Sequence, residues 1–333
     1  MSRLIPSIPT MSLGQGAAGH LMETKLRAAA ATGFKGIEVF YACLESFSQT
    51  FPNVAPCDKL RATARVTKQL ADELGLTIVV LQPLLGYNGL VDLDEHKKLL
   101  EEAIFRFELC GLLGCDMMQV PANFRLDDGI TGDEEAIVRD LQELADAGLA
   151  HNPPIRFAYE NMCWSTYSWR WQQAWNIVKK VDRSNFGIVL DTFQIAGYEY
   201  ANQTLPGGTV TLDKIFYLQL VDAKRLSLPL LPLGAPSPAP EEIGKTVSPF
   251  HVDGQQPRMS WSRHTRLFAE EQEREGYMPI AEVYKTFLDT GFEGYVSFEL
   301  FTRFVNDSHP SIPQNHAERG WKSWLALQKK LDL

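Results

Sequence analysis

Short apolar runs alternate with helix-like segments along this 333-residue chain, and this alternation limits the fold more than any other feature of the sequence. Eight runs have the length and continuity of buried strands. Continuous apolar strands are typical of parallel sheets that are covered by helices. The expected strands are Arg3–Pro9, Gly36–Tyr41, Thr77–Leu81, Asp116–Val120, Ile155–Glu160, Phe186–Asp191, Ile215–Val221 and Gly294–Leu300.

Eight successive βα units predict an α/β fold, a (β/α)8 TIM barrel that forms a single domain over residues 1–333. A doubly wound open sheet is the alternative. The expected helices are His20–Thr32, Asp58–Leu74 with Asp58 as N-cap, Asp92–Leu113, Gly132–Ala150, Trp169–Val181, Pro279–Thr290 and Pro313–Leu331. Thr192–Thr211 reads as irregular. The proline-rich stretch Lys224–Pro257 is a long insertion after strand seven, and loops of this length are usually functional.

Composition excludes several classes of protein. A net charge of -9 with no block of Lys or Arg argues against a nucleic-acid surface. The five cysteines include no C-x-x-C pair, which favours reduced thiols over disulfides or a zinc cluster. The sequence shows no secretory signal and no run long enough to span a membrane, so we expect a cytoplasmic protein that acts on a small molecule. Homo-oligomerisation stays open.

Oxygen-bearing side chains recur at the ends of strands five to eight. They are Glu160, Asp191, Gln219 and Glu299, and the first three are each about one βα unit apart. The ends of parallel barrel strands share one rim, so these side chains are expected to converge there on a divalent metal. Oxygen-only ligation favours Mg, Mn or Co over structural zinc. Two alternatives stay open: Asp191 caps a helix that begins at Thr192, or Gln219 is a polar core residue with Asp222 as the ligand.

Other charged residues have both a functional and a structural interpretation. His20 follows strand one and either faces the rim or begins a helix without a catalytic role. Glu38 lies inside strand two and needs a partner there. Arg258, Arg263 and Arg266 follow the long loop, as a solvated basic turn or as a site for an anionic substrate.

A set of short motifs spread over nearly the whole chain points to a known family. They are Ser12-Leu13-Gly14, Ala18-Gly19-His20, Gly36-Ile37-Glu38-Val39-Phe40-Tyr41, Leu81-Gln82-Pro83, Gln119-Val120-Pro121-Ala122-Asn123-Phe124, Ile155-Arg156-Phe157-Ala158-Tyr159-Glu160, Cys163-Trp164-Ser165-Thr166, Leu190-Asp191-Thr192-Phe193, Phe216-Tyr217-Leu218-Gln219-Leu220-Val221-Asp222-Ala223 and Arg258-Met259-Ser260-Trp261-Ser262-Arg263. Through them the chain resembles the sugar-phosphate isomerase/epimerase superfamily of xylose-isomerase-like barrels. Within it, the chain is similar to the fungal-type 3-dehydroshikimate dehydratases.

The resemblance implies metal-dependent conversion of 3-dehydroshikimate to protocatechuate and water, in quinate and shikimate catabolism. It places the metal on Glu160, Asp191, Gln219 and Glu299, the set that strand spacing also gives. The proton at C4 is acidic because it lies next to the C3 ketone, and loss of the C5 hydroxyl leads to the aromatic product. By match to the Ser-Arg motif of the family, Arg263 and Arg266 bind the substrate carboxylate, with Arg258 as a further candidate.

The chain departs from the family at two positions that bear on mechanism. Bacterial relatives carry a His three residues after the aspartate ligand, where Gln194 cannot titrate, and some carry an Arg where Leu85 stands. The general base therefore stays open among His20, Glu38, Lys224 and a metal-bound hydroxide. Two other functions stay open as well: a sugar or keto-acid isomerase or epimerase on the same metal-dependent barrel, and a non-catalytic protein that binds a metabolite.

Overall fold

The computed structural model describes residues 4–52, 55–199 and 211–333, and within them eight parallel strands close into a barrel. Successive strands pair side by side, and the last pairs with the first, with Leu4 opposite Gly294. The predicted (β/α)8 fold is therefore confirmed. The barrel strands are β1 (Leu4–Pro9), β2 (Gly36–Phe40), β3 (Thr77–Gln82), β4 (Met117–Pro121), β5 (Arg156–Glu160), β6 (Phe186–Asp191), β7 (Ile215–Leu220) and β10 (Gly294–Phe298); two short strands, β8 (Asp222–Ala223) and β9 (Arg266–Leu267), lie between the last two.

Helices connect the strands and cover the barrel. Those in the described ranges are α1 (Met22–Thr32), α2 (Tyr41–Ser48), α3 (Pro56–Glu73), α4 (Leu93–Leu113), α5 (Glu134–Ala150), α6 (Trp171–Val181), α7 (Thr192–Glu199), α8 (Pro257–Thr265), α9 (Ile280–Asp289) and α10 (Ile312–Leu331). Local signals in the sequence explain several of their ends. Asp92 accepts hydrogen bonds from the backbone of Asp94 and Glu95 at the start of α4, and Gly114 ends that helix with a positive φ of 70°. No helix of these ranges has the length and apolarity that crossing a bilayer requires.

Strand periodicity places the candidate metal ligands in one layer of the barrel. Side chains two positions apart on a strand share a face. Ala158, Val189 and Tyr217 therefore lie one layer below Glu160, Asp191 and Gln219 respectively, and these three apolar side chains belong to a small buried cluster of their own. A much larger apolar core packs the barrel against the helices. The polar layer thus lies on an apolar floor at the carboxyl end of the barrel.

Four local predictions differ from the structure. Ala55, not Asp58, is the N-cap of α3, because Pro56 already takes the first helical position. The irregular segment predicted after β6 begins instead with α7, and Asp191 Oδ1 accepts a hydrogen bond of 2.7 Å from the backbone N–H of Phe193 at its start. The sequence analysis also missed α2 and α8. Pro206-Gly207-Gly208 lies outside the described residues.

The long insertion after β7 lies mostly outside regular secondary structure. Its two ends meet because β8 pairs with β9 in antiparallel register, with Ala223 opposite Arg266. Near its far end, the ring of Phe250 stacks on His264 at 5.3 Å between centroids. The pairing brings α8 and the arginines that follow the insertion to the carboxyl end of the barrel. Because the insertion follows a strand with a candidate ligand and leads to the arginines, we predict that it closes over a bound ligand.

Candidate active site

A cavity of about 390 Å³ opens at the carboxyl ends of the barrel strands. In TIM barrels this end carries the active site. Side chains at or next to the ends of four strands reach the cavity: Gln82, Gln119, Glu160 and Glu299. The remaining lining comes from the last residues of β2 and β4, from α7, α8 and β9, and from loops. It consists of Met11, Gln15, Phe40, Pro83, Leu85, Pro121, Phe124, Met162, Trp164, Gln194, Ser262, Arg263, His264, Arg266, Phe301, Thr302, Arg303, Val305 and Asn306.

The four side chains that the sequence predicts as metal ligands come from neighbouring strands, β5, β6, β7 and β10. All four are buried, with at most 3% of any residue exposed. Asp191 and Gln219 lie opposite each other in the register of β6 and β7. The Gln219 amide donates to Glu299 Oε1 at 2.9 Å, and Gln119 donates to Glu160 Oε2 at 2.9 Å. The structure therefore brings the four together in one polar layer.

Carboxylates orient the glutamine amides of this layer. A carboxylate oxygen accepts hydrogen bonds, so the amide nitrogen of each glutamine must face it. Gln219 Nε2 lies 3.1 Å from Glu38 Oε2 as well as close to Glu299, and its Oε1 therefore points the other way, to within 3.5 Å of Gln119 Nε2. Gln82 donates to the same Glu38 oxygen at 2.6 Å. Glu38 thus has the partners in the barrel interior that the sequence analysis required.

Arg266 lies fully within this layer. Its guanidinium forms a charged hydrogen bond with Glu299 and lies 3.4 Å from Asp191 Oδ2. Nε donates to Ser262 Oγ at 2.8 Å, and the guanidinium stacks over the ring of Phe193 at 4.6 Å. Two of the four candidate ligands therefore already contact a cation, and that cation also lines the cavity.

Burial and mutual repulsion raise the pKa values of the carboxyl groups. Burial raises the pKa of Glu38 to about 7. Burial, with repulsion from Asp191 and Glu38, raises the pKa of Glu299 to about 8 although Arg266 opposes the shift. The pKa of Glu160 lies well above its usual range, first because of burial and then because of Glu299 and Asp191. Asp191 is also raised in pKa by burial, against the opposing effect of Arg266. The layer thus binds protons in the absence of another cation.

The chemistry of this layer fits a hard divalent cation. Four buried carboxyl groups share the single guanidinium of Arg266. Apart from the 3.4 Å contact of Asp191 Oδ2 with Arg266, Asp191 Oδ2 and Glu38 Oε1 make no well-formed hydrogen bond among the described residues. Oxygen donors with excess negative charge are what Mg²⁺ and Mn²⁺ prefer. Among the described residues, no three side chains of the types His, Cys, Asp and Glu are already arranged to hold a metal ion. The candidate set instead needs the Gln219 amide and displacement of Arg266 from at least one carboxylate.

The other predicted site residues divide between the cavity and positions outside its lining. Arg263 lines the cavity and has no ion pair or hydrogen bond among the described residues, and burial next to Arg266 lowers its pKa. Arg258 lies outside the lining and donates to the Cys163 carbonyl at 3.1 Å. His20 lies 2.6 Å from the Asp307 carbonyl through Nε2, which must donate. Lys224 pairs with Glu275 at a half-exposed position.

Two cavity residues that can exchange protons or hydrogen bonds with a ligand were not among the predicted site residues. His264 Nδ1 donates to the Ser260 carbonyl at 2.7 Å, so the neutral ring carries its free lone pair on Nε2. Gln194 Oε1 accepts from the Cys163 backbone at 2.8 Å, and Gln194 Nε2 is buried with no acceptor in the part of the chain that the structure describes. The sequence signal for His264 was its position immediately after the motif that ends at Arg263. For Gln194 the loss of a titratable group was noted, but the orientation of its amide is not visible in a sequence.

Comparison with known proteins shows which family the chain matches. The family described as xylose isomerase-like TIM barrel matches residues 26–330. A Neurospora crassa protein named 3-dehydroshikimate dehydratase is 41% identical over 98% of this chain and 94% of its own length. A Pseudomonas putida protein of the same name is 30% identical over 98% of this chain, which spans only 42% of that longer protein.

A solved structure agrees with the fold. The IolI protein, whose crystal structure is described as having a bound zinc atom, superposes with a TM-score of 0.69 and 16% identity over 99% of each chain. At this identity the likeness extends to the barrel and not to the substrate. The resemblance that the motifs indicated is confirmed by the sequence comparisons, and the barrel is confirmed by both kinds of comparison.

Proposed function

This chain belongs to the xylose isomerase-like TIM barrel family, and we propose that it is a hydro-lyase that converts 3-dehydroshikimate to protocatechuate and water. The observation that carries this proposal is the 41% identity to a dehydratase over nearly the full length of both chains. The cavity suits such a substrate, since it combines the Arg263 guanidinium, which has no partner within the described ranges, with buried amides and carboxyl groups. The expected place of the reaction is quinate and shikimate catabolism.

A divalent cation completes the site in this proposal. Glu160, Asp191, Gln219 and Glu299 hold it, and Mg, Mn or Co suits their oxygen atoms. Once bound, such an ion stabilises the negative charge that develops on the ketone oxygen of the substrate. The zinc named in the structure of IolI supports metal binding on this type of barrel, although not the identity of the ion.

Arg263 is the first candidate to bind the substrate carboxylate. Arg266 contacts Glu299 and Asp191, and Arg258 donates to a backbone carbonyl, whereas the Arg263 guanidinium faces the cavity without an acceptor among the described residues. A guanidinium can bind a carboxylate through two parallel hydrogen bonds. Arg266 and Arg258 lie close to Arg263 in the chain and supplement the positive charge on this side of the site.

His264 is the first candidate for proton transfer. The reaction must remove the C4 proton and deliver a proton to the departing C5 hydroxyl. Of the four candidate side chains, His264 lines the cavity, whereas His20, Glu38 and Lys224 do not. Its Nε2 lone pair is free to accept a proton, because Nδ1–H is held by Ser260. The three earlier candidates can act only through intervening groups.

The decisive experiment is an assay on 3-dehydroshikimate with metal-depleted protein, before and after separate addition of Mg²⁺, Mn²⁺ and Co²⁺. We expect protocatechuate, followed by its near-ultraviolet absorbance and by chromatography, only after metal addition. Glu160→Gln should abolish turnover, whereas Glu282→Gln on the exposed face of α9 should not. If no ion gives product, or if the protein turns over ketoses and not 3-dehydroshikimate, the proposal is wrong and an isomerase or epimerase takes its place.

A further inference from the structure

A lysine and a cysteine meet in the apolar layer between α1 and α2. Lys25 Nζ donates a hydrogen bond of 3.2 Å to Cys43 Sγ, and this is the one hydrogen bond that Nζ makes among the described residues. Both residues are buried, Lys25 completely and Cys43 to within 2%. Neither belongs to the lining of the catalytic cavity. This pair is therefore a separate feature from the proposed active site.

The arrangement is unusual for a structural lysine. Lysine is almost never fully buried unless a carboxylate pairs with it, and no ion pair of Lys25 exists in residues 4–52, 55–199 or 211–333. Its neighbours on α1 are the buried apolar residues Leu26, Ala28 and Ala29. A methionine would fill the same space without an uncompensated polar group. Packing alone therefore does not explain a lysine at this position. Its amine contacts one sulfur atom, Cys43 Sγ, and we infer that it is there for its reactivity.

We propose that Lys25 and Cys43 form a reversible covalent N–O–S crosslink when dioxygen oxidises the pair. One oxygen atom of dioxygen bridges Nζ and Sγ, and the other leaves as water with one hydrogen from the amine and one from the thiol. Sulfur and nitrogen are together oxidised by four electrons, and dioxygen accepts all four. A thiol reductant reverses the link by reducing the O–S and N–O bonds to free thiol, free amine and water.

The separation of the two atoms favours a bridged product over a direct bond. A direct S–N bond would require Nζ and Sγ to move far inside their present 3.2 Å contact, through a packed layer between two helices. An intervening oxygen spans most of that gap. The other four described cysteines have no hydrogen bond to a lysine: Cys110 lies near the Met117 carbonyl and next to Cys115, Cys163 lies near arginines, and Cys57 is exposed. The modification should therefore be confined to one site.

The crosslink would close a covalent loop in the chain around β2. Residues 25 and 43 are 18 positions apart, and the segment between them contains β2, which carries Glu38 and Phe40. Closing a loop of this size by a covalent bond reduces the conformational freedom of the unfolded chain. We expect the thermal unfolding midpoint of the oxidised protein to lie a few degrees above that of the reduced protein.

Peptide mapping of the full-length protein tests this inference. Protein kept in air-saturated buffer is compared with protein kept anaerobically with dithiothreitol, and both are digested with trypsin under denaturing conditions. We expect the aerobic sample to lose cleavage after Lys25. It should contain a linked peptide whose mass equals both partners plus one oxygen and minus two hydrogens. Dithiothreitol should restore cleavage and separate the peptides.

Variants and alternative masses decide the outcome. Lys25→Met and Cys43→Ala should each remove the linked peptide, and Cys57→Ser should retain it. Mapping of the unsubstituted chain stands on its own if a buried variant fails to fold. A free Cys43 thiol after prolonged aeration, oxygen on Cys43 alone, or a link that lacks the oxygen atom would each overturn the inference. None of these results depends on turnover of 3-dehydroshikimate.

Discussion

At the scale of single residues, the clearest prediction concerns Arg263 and the binding of the substrate carboxylate. Its guanidinium lines the cavity without an acceptor among the described residues, so a bound carboxylate would satisfy it. Replacing Arg263 with Gln should raise KM for 3-dehydroshikimate by about 10- to 100-fold, since a hydrogen bond to a charged group contributes about 1.5–3 kcal/mol. The smaller change should be in kcat. Steady-state kinetics measures both.

Arg225→Gln is the matched control for Arg263→Gln. Arg225 stacks over Tyr277 at 4.7 Å and does not line the cavity, so its loss should leave KM within about twofold of the original. A fall in kcat at constant KM in Arg263→Gln would assign this arginine to the chemical step. Equal kinetics for both variants would contradict its role in binding the carboxylate.

The sequence predicts the direction of a side chain where its position along a strand decides that direction. Glu160, Asp191 and Gln219 could be placed in one layer because each lies at or next to the end of a strand of a parallel barrel. Gln82 and Gln119 occupy comparable positions, but a glutamine there gives no signal of which way its amide points. That orientation follows from the carboxylates around it. Non-local contacts of this kind are not encoded in spacing.

At the scale of elements, Thr192 joins the end of β6 to the end of β7. Its hydroxyl donates to the Val221 carbonyl at 2.9 Å and accepts from the Val221 backbone N–H at 2.7 Å. Thr192→Val keeps the shape but leaves both buried backbone groups without partners, which should lower the free energy of unfolding by about 2–4 kcal/mol. Thr192→Ser keeps the hydroxyl and should lose less than half of that. Urea unfolding compares the two, and equal losses would contradict this explanation.

His316 connects α10 to the loop after β1 and should make the protein sensitive to acid. Burial lowers its pKa from 6.5 to about 4, although the bond from Nδ1 to the Ser12 carbonyl opposes the shift. Between these values the unfolded chain binds a proton that the folded chain does not, so stability falls as pH falls through this interval. The full loss is about 3 kcal/mol, on the scale of 1.36 kcal/mol for each pKa unit.

The variant His316→Gln isolates this effect. Gln does not titrate and can donate to the same carbonyl, so its unfolding free energy should change less than that of the unsubstituted protein between pH 6.5 and pH 4. Carboxyl groups elsewhere titrate in both proteins and cancel in the comparison. Parallel curves for the two proteins would show that His316 is protonated in the folded state as easily as in the unfolded state.

At the scale of the whole molecule, the barrel could be predicted because eight repeated units each carry their own local signal. The prolines locate the long insertion in the sequence, but they do not indicate how its two ends are arranged in three dimensions. Arg266 enters the polar layer because β8 and β9 pair across the whole insertion, which is irregular up to α8. Such pairing has no periodic pattern in the sequence. Arg266 was predicted to bind substrate, and its contacts with Glu299 and Asp191 became visible only in three dimensions.

At the scale of the whole polar layer, we expect binding of the proposed divalent ion to be coupled to proton release. Without a divalent ion, burial holds the pKa of Glu38 at about 7 and that of Glu299 at about 8, above their unfolded values, so folded protein retains protons that unfolded chain has lost. Its stability should therefore fall as pH rises from about 4.5 through these pKa values. A bound divalent ion replaces the protons and should raise the unfolding midpoint more at pH 8 than at pH 6.

Thermal unfolding with EDTA or with Mn²⁺, at pH 6 and pH 8, measures this coupling. Glu299→Gln should show a smaller fall in stability with pH in EDTA and a much smaller shift with Mn²⁺, whereas Glu282→Gln should behave like the unsubstituted protein. Titration calorimetry in two buffers of different ionisation enthalpy should also report proton release as Mn²⁺ binds. A midpoint shift with Mn²⁺ that is the same at both pH values, and survives in Glu299→Gln, would place the ion outside this layer.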